Sequence, residues 1–180
     1  STHPAEILYK NSILNFEILE SFRKSKAKKL LVMSTSSVES IPLDIIDPSS
    51  VFGHFGYAWS KKISEITSLA YFKEYKKSIY IARSDNVFGE RDDFVYFPQI
   101  IPSIISRVSK GDSEIKLLGS GKQSRNFLYI KDLVSGLKDL VEKGPAGEII
   151  EFYGIERLTI EEAAEIIFKL MRKTIKLTFE

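Results

Sequence analysis

Two short apolar runs, each preceded by a segment with helical periodicity, constrain the fold of this chain more than any other feature. The runs are "KLLVMS" (residues 29–34) and "SIYIARS" (residues 78–84), and both are typical of strands buried in a parallel sheet. Apolar residues recur at intervals of three and four over residues 5–24 and again over residues 57–75, which predicts two amphipathic helices. Helices that alternate with buried strands indicate an α/β layer fold.

The second half of the chain continues this alternation. Residues 98–111 predict a helix that ends at Gly111, and residues 132–143 predict a helix for which Asp132 is a plausible N-cap. "EIKLLG" and "RNFLYI" predict short strands around the turn "SGKQS", while residues 39–56 and 85–97 read as loops. The chain ends with a strand, a helix and a strand in "GEIIEFYG", "TIEEAAEIIFKLMRK" and "TIKLTF". We therefore predict a Rossmann-like, doubly wound and mainly parallel α/β sheet.

Composition narrows the classes of function. The chain has no cysteine and only two histidines, His3 and His54, so we expect no metal site and no Ser-His-Asp hydrolase. The net charge is +2 and the lysines are scattered, so we expect no nucleic-acid partner. The longest apolar runs are far shorter than the ~20 residues of a membrane span, and we expect a cytoplasmic protein without a membrane partner.

A glycine-rich phosphate-binding turn after a strand is missing from the sequence, and the first recognisable element is a helix rather than a strand. Either the chain binds no dinucleotide alone, or it is an interior fragment of a longer polypeptide. With 180 residues, of which 43% are hydrophobic, we expect a single α/β unit over residues 1–180.

The stretch "GYAWSKKISE" places Tyr57 four residues before Lys61, so the two side chains share one face of the predicted helix. An ammonium group beside a phenol favours the phenolate, which would lower the tyrosine pKa from about 10 toward the range of a general base. Taken alone, the same spacing also fits an ordinary helix surface.

Four motifs in order make the pair more informative. They are "KNSILNFEILESFRKSKAKKLLVMSTSSV", "YAWSK", "ARSDNVFG" and "GSGKQSRNFLYIKDLV". Together they cover most of the chain and resemble the extended short-chain dehydrogenase/reductase family, specifically its NAD-dependent nucleotide-sugar epimerase/dehydratase group. The resemblance implies NAD or NADP as cofactor and a nucleotide-diphosphate sugar as substrate. It also implies that residues 1–95 are the remainder of a dinucleotide-binding sheet and that residues 96–180 hold mixed sheet and part of a small C-terminal substrate-binding region.

The resemblance assigns roles to residues that match the motifs. It implies that Tyr57 is the catalytic acid/base, that Lys61 holds the nicotinamide ribose and lowers the tyrosine pKa, and that Thr35 binds the reacting sugar hydroxyl. Asn11 and Ser34 are implied on the cofactor side, and the implied substrate contacts are Ser36, Asn86 and Arg125. Without the resemblance, Thr35 would be a strand-end hydroxyl that satisfies local backbone, and Arg125 would be a surface cation.

Residues that differ within the family favour one reaction. Family dehydratases carry an acidic pair after the catalytic threonine, where this chain has Ser36 and Ser37. The decarboxylases of the family have the motif T-S-E at this place, and Ser37 stands at the position of its glutamate. The GDP-fucose synthases have a cysteine and a histidine where this chain has Ser37 and Arg91. We therefore expect C4 epimerisation through a 4-keto intermediate, with a 4-ketoreductase as the nearest alternative.

A catalytically silent, truncated domain that acts as a binding or assembly module is the other alternative. The resemblance implies a homodimer through a helix pair that includes residues 57–75. Glu39 and Ser40 replace the family's aromatic residue and glycine, and Glu90 replaces a common proline. These changes leave the sugar and its nucleotide open.

Overall fold

The computed structural model describes residues 3–41 and 55–180. Over these residues the elements in chain order are α1 (Pro4–Lys24), β1 (Lys29–Thr35), a 3-10 helix (Ser36–Ser40), α2 (Phe55–Tyr75), β2 (Ser78–Ser84), β3 (Asn86–Phe88), α3 (Ile100–Lys110), β4 (Glu114–Leu117), β5 (Ser124–Tyr129), α4 (Ile130–Lys143), β6 (Ile149–Phe152), β7 (Arg157–Thr159), α5 (Ile160–Leu170) and β8 (Lys176–Phe179). The chain divides into two compact units.

The first unit runs to Ser84 and includes residues 134–152. Its sheet has the order β1-β2-β6, and all three strands are parallel. Thr35 pairs with Ser84, and Ser84 pairs with Phe152, so the three carboxyl ends lie side by side. This edge is where open α/β sheets bind their ligands.

Both faces of this sheet are covered by helices because the side chains of β2 alternate between them. Ile79 and Ile81 point to a core that includes Leu19 and Phe22 of α1. Tyr80 and Ala82 pack on the opposite face, and their partners are Leu137, Leu140 and Val141 of α4. A parallel sheet with a helical layer on each face confirms the predicted doubly wound α/β fold.

The second unit contains residues 85–133 and 153–180. Here β3 pairs in parallel with β5, β5 pairs with β7 in the antiparallel sense, and β4 pairs in parallel with β8. Helices α3 and α5 cover a core in which Ile104, Ile115 and Ala164 are fully buried. A capping box starts α5, since the Thr159 hydroxyl accepts from the Glu162 amide and the Glu162 carboxylate accepts from the Thr159 amide.

The structure differs from the sequence predictions in two places. Strand β3 lies inside the predicted loop 85–97. Asp132 is in the first turn of α4 and is not its N-cap, because the helix already begins at Ile130. The two strands predicted around the turn are β4 and β5, which belong to different sheets. The first compact unit also includes β6 and most of α4, and a functional division near residue 95 stays a prediction.

Helices long and apolar enough to cross a membrane are absent from residues 3–41 and 55–180.

Candidate active site

Three consecutive residues at the carboxyl end of β1 are tied to α2. The Lys61 ammonium donates to the Met33 carbonyl oxygen at 2.8 Å. The Ser34 hydroxyl donates to the Glu65 carboxylate at 2.6 Å. The third tie is between the Thr35 hydroxyl and the Tyr57 phenol, whose interaction acts to lower the tyrosine pKa. The structure therefore brings together the predicted catalytic residues Tyr57, Lys61 and Thr35.

Tyr57 lies at the start of α2, where the helix approaches α1 closely. A Cβ atom at Gly56 would lie 2.1 Å from the Pro4 carbonyl oxygen, so only glycine fits the position before the tyrosine. Tyr57 is 38% exposed, and the Lys61 Nζ lies 5.8 Å from the centre of its ring. The phenol is therefore accessible and has the cation of the next helical turn beside it.

The pKa values of the pair differ from the sequence prediction. Burial raises the pKa of Tyr57 above 10.0, and its hydrogen bond with Thr35 only partly offsets that rise. Burial also lowers the pKa of Lys61 below 10.5. The Tyr57 pKa is thus raised in this chain and not lowered, because desolvation is the largest contribution and the Lys61 ammonium donates to Met33. That Lys61 lowers the tyrosine pKa during the reaction stays a prediction.

Thr35 has a local role in addition to its contact with the tyrosine. It is the N-cap of the 3-10 helix, where its hydroxyl oxygen accepts from the Ser37 amide at 3.3 Å. The same hydroxyl lies 3.3 Å from the Ser37 hydroxyl oxygen. Ser36 begins this short helix and is partly buried. The strand-end interpretation of Thr35 and the active-site interpretation are therefore compatible.

Asn11 and Ser34, the two other predicted cofactor residues, make hydrogen bonds within the protein. The Asn11 side-chain amide donates to the Ser60 hydroxyl at 3.1 Å, and this buried hydroxyl donates to the Tyr57 carbonyl at 2.7 Å. Asn11 thus joins α1 to the helical turn between Tyr57 and Lys61. Ser34 is also buried, with its hydroxyl directed to Glu65.

Sequence reasoning missed a buried ion pair beside the site. Glu65 is 1% exposed and accepts two hydrogen bonds from Arg83, at 2.8 and 2.9 Å. Arg83 also donates from Nη1 to Glu151 at 2.9 Å and to Glu39 at 3.4 Å. Two signals could have revealed the pair. Glu65 follows Lys61 by one helical turn, and Arg83 is the charged residue within the apolar run of β2.

Asn86 and Arg125 lie in the second unit. The Asn86 side chain donates to the Asn126 carbonyl at 3.3 Å, and Arg125 donates to the Ser124 carbonyl at 3.0 Å. Both side chains are exposed, and their contact with a substrate stays a prediction. Over the part of the chain that the structure describes, no group of three or more His, Cys, Asp or Glu residues could hold a metal ion. His54 lies outside the described residues.

Comparisons with known proteins agree with the motifs. The sequence model of the NAD dependent epimerase/dehydratase family matches residues 1–152. Human dTDP-D-glucose 4,6-dehydratase is 29% identical over 171 residues, which cover 94% of this chain and 48% of the human protein. The dTDP-4-dehydro-6-deoxy-D-allose reductase of Streptomyces bikiniensis is 28% identical over 177 residues, which cover 93% of this chain and 53% of that protein.

A solved structure supports the same relationship. UDP-glucuronic acid 4-epimerase from Bacillus cereus, in complex with UDP-glucuronic acid and NAD, is 25% identical and superposes with a TM-score of 0.78. The match covers 94% of this chain and 54% of the epimerase. The Rossmann-like fold and the family resemblance are confirmed. The chain spans about half the length of the relatives it matches.

Proposed function

The chain belongs to the NAD-dependent epimerase/dehydratase family, whose members act on nucleotide sugars, and from that premise we propose that the full-length protein is a nucleotide-sugar C4 epimerase. The reaction would pass through a 4-keto sugar. The observation that carries the proposal is the cluster of Thr35, Tyr57 and Lys61 at the carboxyl end of β1.

Each of these side chains suits one part of the chemistry. The Thr35 hydroxyl can hold the reacting sugar hydroxyl next to the Tyr57 phenol, which exchanges the proton as the hydroxyl becomes a carbonyl and reforms. The Lys61 ammonium, 5.8 Å from the ring centre, stabilises negative charge on the phenolate oxygen. These roles need no additional acid or base.

NAD, the cofactor of the family, supplies hydride exchange at the sugar carbon when it is bound. The residues at the site fit such a group, because they lie at the carboxyl edge of a parallel sheet, where dinucleotides bind. Tyr57 and Lys61 would hold the nicotinamide ribose. Asn11 and Ser34 would support the cofactor site indirectly, since their side chains bond to Ser60 and Glu65 of α2.

Neutral side chains next to Thr35 favour epimerisation over elimination. Ser36 and Ser37 follow Thr35, so the two positions that carry an acidic pair in family dehydratases offer only hydroxyl groups. Removal of a sugar hydroxyl as water needs an acid at that place. We therefore propose that the protein differs from its dehydratase relatives in reaction, although not in fold.

A nucleotide-sugar 4-ketoreductase is the second candidate. The Tyr57 phenol is protonated at neutral pH, since burial raises its pKa above 10.0, and a protonated phenol is the form that donates to a keto oxygen during reduction. The reductase from Streptomyces bikiniensis, 28% identical, adds weight to this alternative.

Assays of the full-length protein with UDP-, GDP- and dTDP-hexoses, and with their 4-keto derivatives in the presence of NADH, separate these reactions. An epimerase converts one sugar into its C4 epimer without net change in NADH, whereas a reductase consumes one NADH per product. Tyr57→Phe should abolish either activity, and Tyr75→Phe, at the exposed end of the same helix, should retain it. Unchanged turnover in Tyr57→Phe would refute both candidates, and no turnover of any hexose by wild type would favour the silent domain.

We also propose that the protein forms a homodimer through α1 and α2. These helices carry apolar side chains in solvent, including Ile13 and Phe16, which are 41% and 42% exposed, and Ile66, which is 57% exposed. Contiguous exposed apolar surface is typical of interfaces. Ile66→Glu should convert a dimer to a monomer in light scattering, whereas Ile166→Glu, on α5, should not. A wild-type monomer at high concentration would refute this proposal.

A further inference from the structure

We propose that Glu65 is a positioning residue, which fixes α2 on β1 so that Tyr57 and Lys61 stay aligned with Thr35. The inference rests on the proposed function of these three residues. It adds a buried carboxylate that touches neither a reacting atom nor the catalytic side chains.

The argument begins with the three ties between β1 and α2. Lys61 and Glu65 follow Tyr57 by one and two helical turns, so all three side chains lie on one face of α2. They contact consecutive strand residues, with Lys61 on Met33, Glu65 on Ser34 and Tyr57 on Thr35. Any slide of the helix along the strand would displace all three side chains relative to their partners on the strand.

Of these ties, the one through Glu65 is the stiffest. A lysine stem has four carbons and can bend to keep its bond to Met33, and Tyr57 is 38% exposed at the start of the helix. The Glu65 carboxylate is 1% exposed and receives two parallel hydrogen bonds from Arg83 on β2. A bidentate guanidinium bond restricts both distance and orientation. The Ser34 hydroxyl donates to this same carboxylate at 2.6 Å and so fixes strand β1 to it.

Arg83 also connects Glu65 to the residues that follow Thr35 and to strand β6. Its Nη1 also donates to Glu151 on β6 and lies 3.4 Å from a carboxylate oxygen of Glu39 in the 3-10 helix. The same guanidinium therefore links α2, β6 and the short helix that Thr35 caps, and it reaches β1 through the bond between Glu65 and Ser34. The ion pair is placed to hold the catalytic residues in one geometry.

A titration of the Tyr57 phenol tests the inference without any substrate. Tyrosinate absorbance is measured against pH in each variant and in the same variant with Tyr57→Phe, and the difference reports Tyr57 alone. Ser34→Ala removes only the tie to the strand and should weaken the contact between Tyr57 and Thr35. Because that contact lowers the tyrosine pKa, its loss should raise the Tyr57 midpoint by about half a pH unit or more.

Two further variants separate positioning from stability. Leu19→Ala removes a buried side chain of α1 from the core of the same unit. It should destabilise the unit and leave the Tyr57 midpoint unchanged. Glu65→Leu combined with Arg83→Met removes both charges of the ion pair, and it should show the raised Tyr57 midpoint although it is destabilised less than Arg83→Met alone. An unshifted Tyr57 midpoint in both Ser34→Ala and the double variant would overturn the inference.

Kinetics of the full-length enzyme add a second readout. Ser34→Ala should lower kcat by about tenfold or more with little change in KM, since a misplaced acid affects the chemical step more than sugar binding. A similar loss of kcat/KM that arises from a higher KM, with kcat unchanged, would contradict a positioning role. If no sugar is turned over, the proposed reaction fails, whereas the titration still decides whether Glu65 positions Tyr57.

Discussion

The pair of Glu65 and Arg83 makes a quantitative prediction about stability. In Arg83→Met the Glu65 carboxylate stays buried but loses both bonds of the guanidinium, at 2.8 and 2.9 Å. Among the residues that the structure describes, the Ser34 hydroxyl at 2.6 Å and the more distant Lys62 ammonium at 4.0 Å remain as its partners. A buried carboxylate that loses its ion-pair partner destabilises a protein by about 3–5 kcal/mol.

Removal of both charges should cost much less than removal of one. In Glu65→Leu with Arg83→Met, the guanidinium and the carboxylate are replaced by apolar side chains of similar size, which is often neutral. The remaining cost is the buried Ser34 hydroxyl, left without its acceptor, at about 1–3 kcal/mol. Glu65→Leu alone also leaves Ser34 without its acceptor and so should cost at least as much as the double variant, and the double-mutant cycle should therefore show a coupling energy of at least about 3 kcal/mol.

Urea denaturation followed by circular dichroism measures all corners of the cycle. With a slope of about 2 kcal/mol/M, Arg83→Met should lower the midpoint by about 1.5–2.5 M. Arg107→Met provides a control, because the pair of Arg107 with Asp112 is 33% and 38% exposed and should contribute at most about 1 kcal/mol. A loss below about 1 kcal/mol in Arg83→Met, together with additive single-variant effects, would refute the coupling.

Three other variants test separate features. Gly147→Ala should destabilise the first unit by about 1–3 kcal/mol in urea melts, because the residue has φ +79° and a Cβ would lie 2.1 Å from the Phe72 ring. Thr159→Ala should cost about 1 kcal/mol and speed amide exchange in the first turn of α5, since the capping box with Glu162 is lost; unchanged exchange would contradict this. Burial lowers the pKa of Lys61, so near that pKa the unfolded chain binds more protons than the folded protein. The free energy of unfolding of wild type, relative to that of Lys61→Met, should therefore rise as the pH approaches 10.5. A difference in free energy of unfolding that does not change with pH would exclude the shift.

The central sheet was predictable because its signals are local and repeated. Strand β2 was predicted with the observed bounds, and β1 was predicted to within one residue, since both are continuous apolar runs. Strands β3 and β7 have only three residues each, too short for a period to be read. The pairing of β4 with β8 joins residues about 60 positions apart, and no local pattern specifies it.

The proposed catalytic residues could be named from the sequence, whereas the ion pair of Glu65 with Arg83 could not. Tyr57 and Lys61 are marked by their spacing and by the motifs around them, which fix identity and not geometry. The partnership of Glu65 with Arg83 depends on how α2 lies against β2, a packing result of the whole unit. The direction of the Tyr57 pKa shift was missed for the same reason. Desolvation depends on how far the folded unit buries the phenol, and the spacing of Tyr57 and Lys61 does not predict that burial.

The choice of partner for Glu65 also bears on the chemistry of the site. Lys61 and Glu65 are four residues apart on α2, a spacing at which an ion pair between them would be favourable. Arg83 instead binds both carboxylate oxygens, and the Lys61 ammonium donates to a neutral carbonyl. The charge of Lys61 is therefore not neutralised by a carboxylate one turn away. In the proposed reaction that charge acts on the Tyr57 phenolate, which desolvation alone would disfavour. By binding Glu65, Arg83 leaves the charge of Lys61 uncompensated, so that it can offset the cost of desolvating the phenolate.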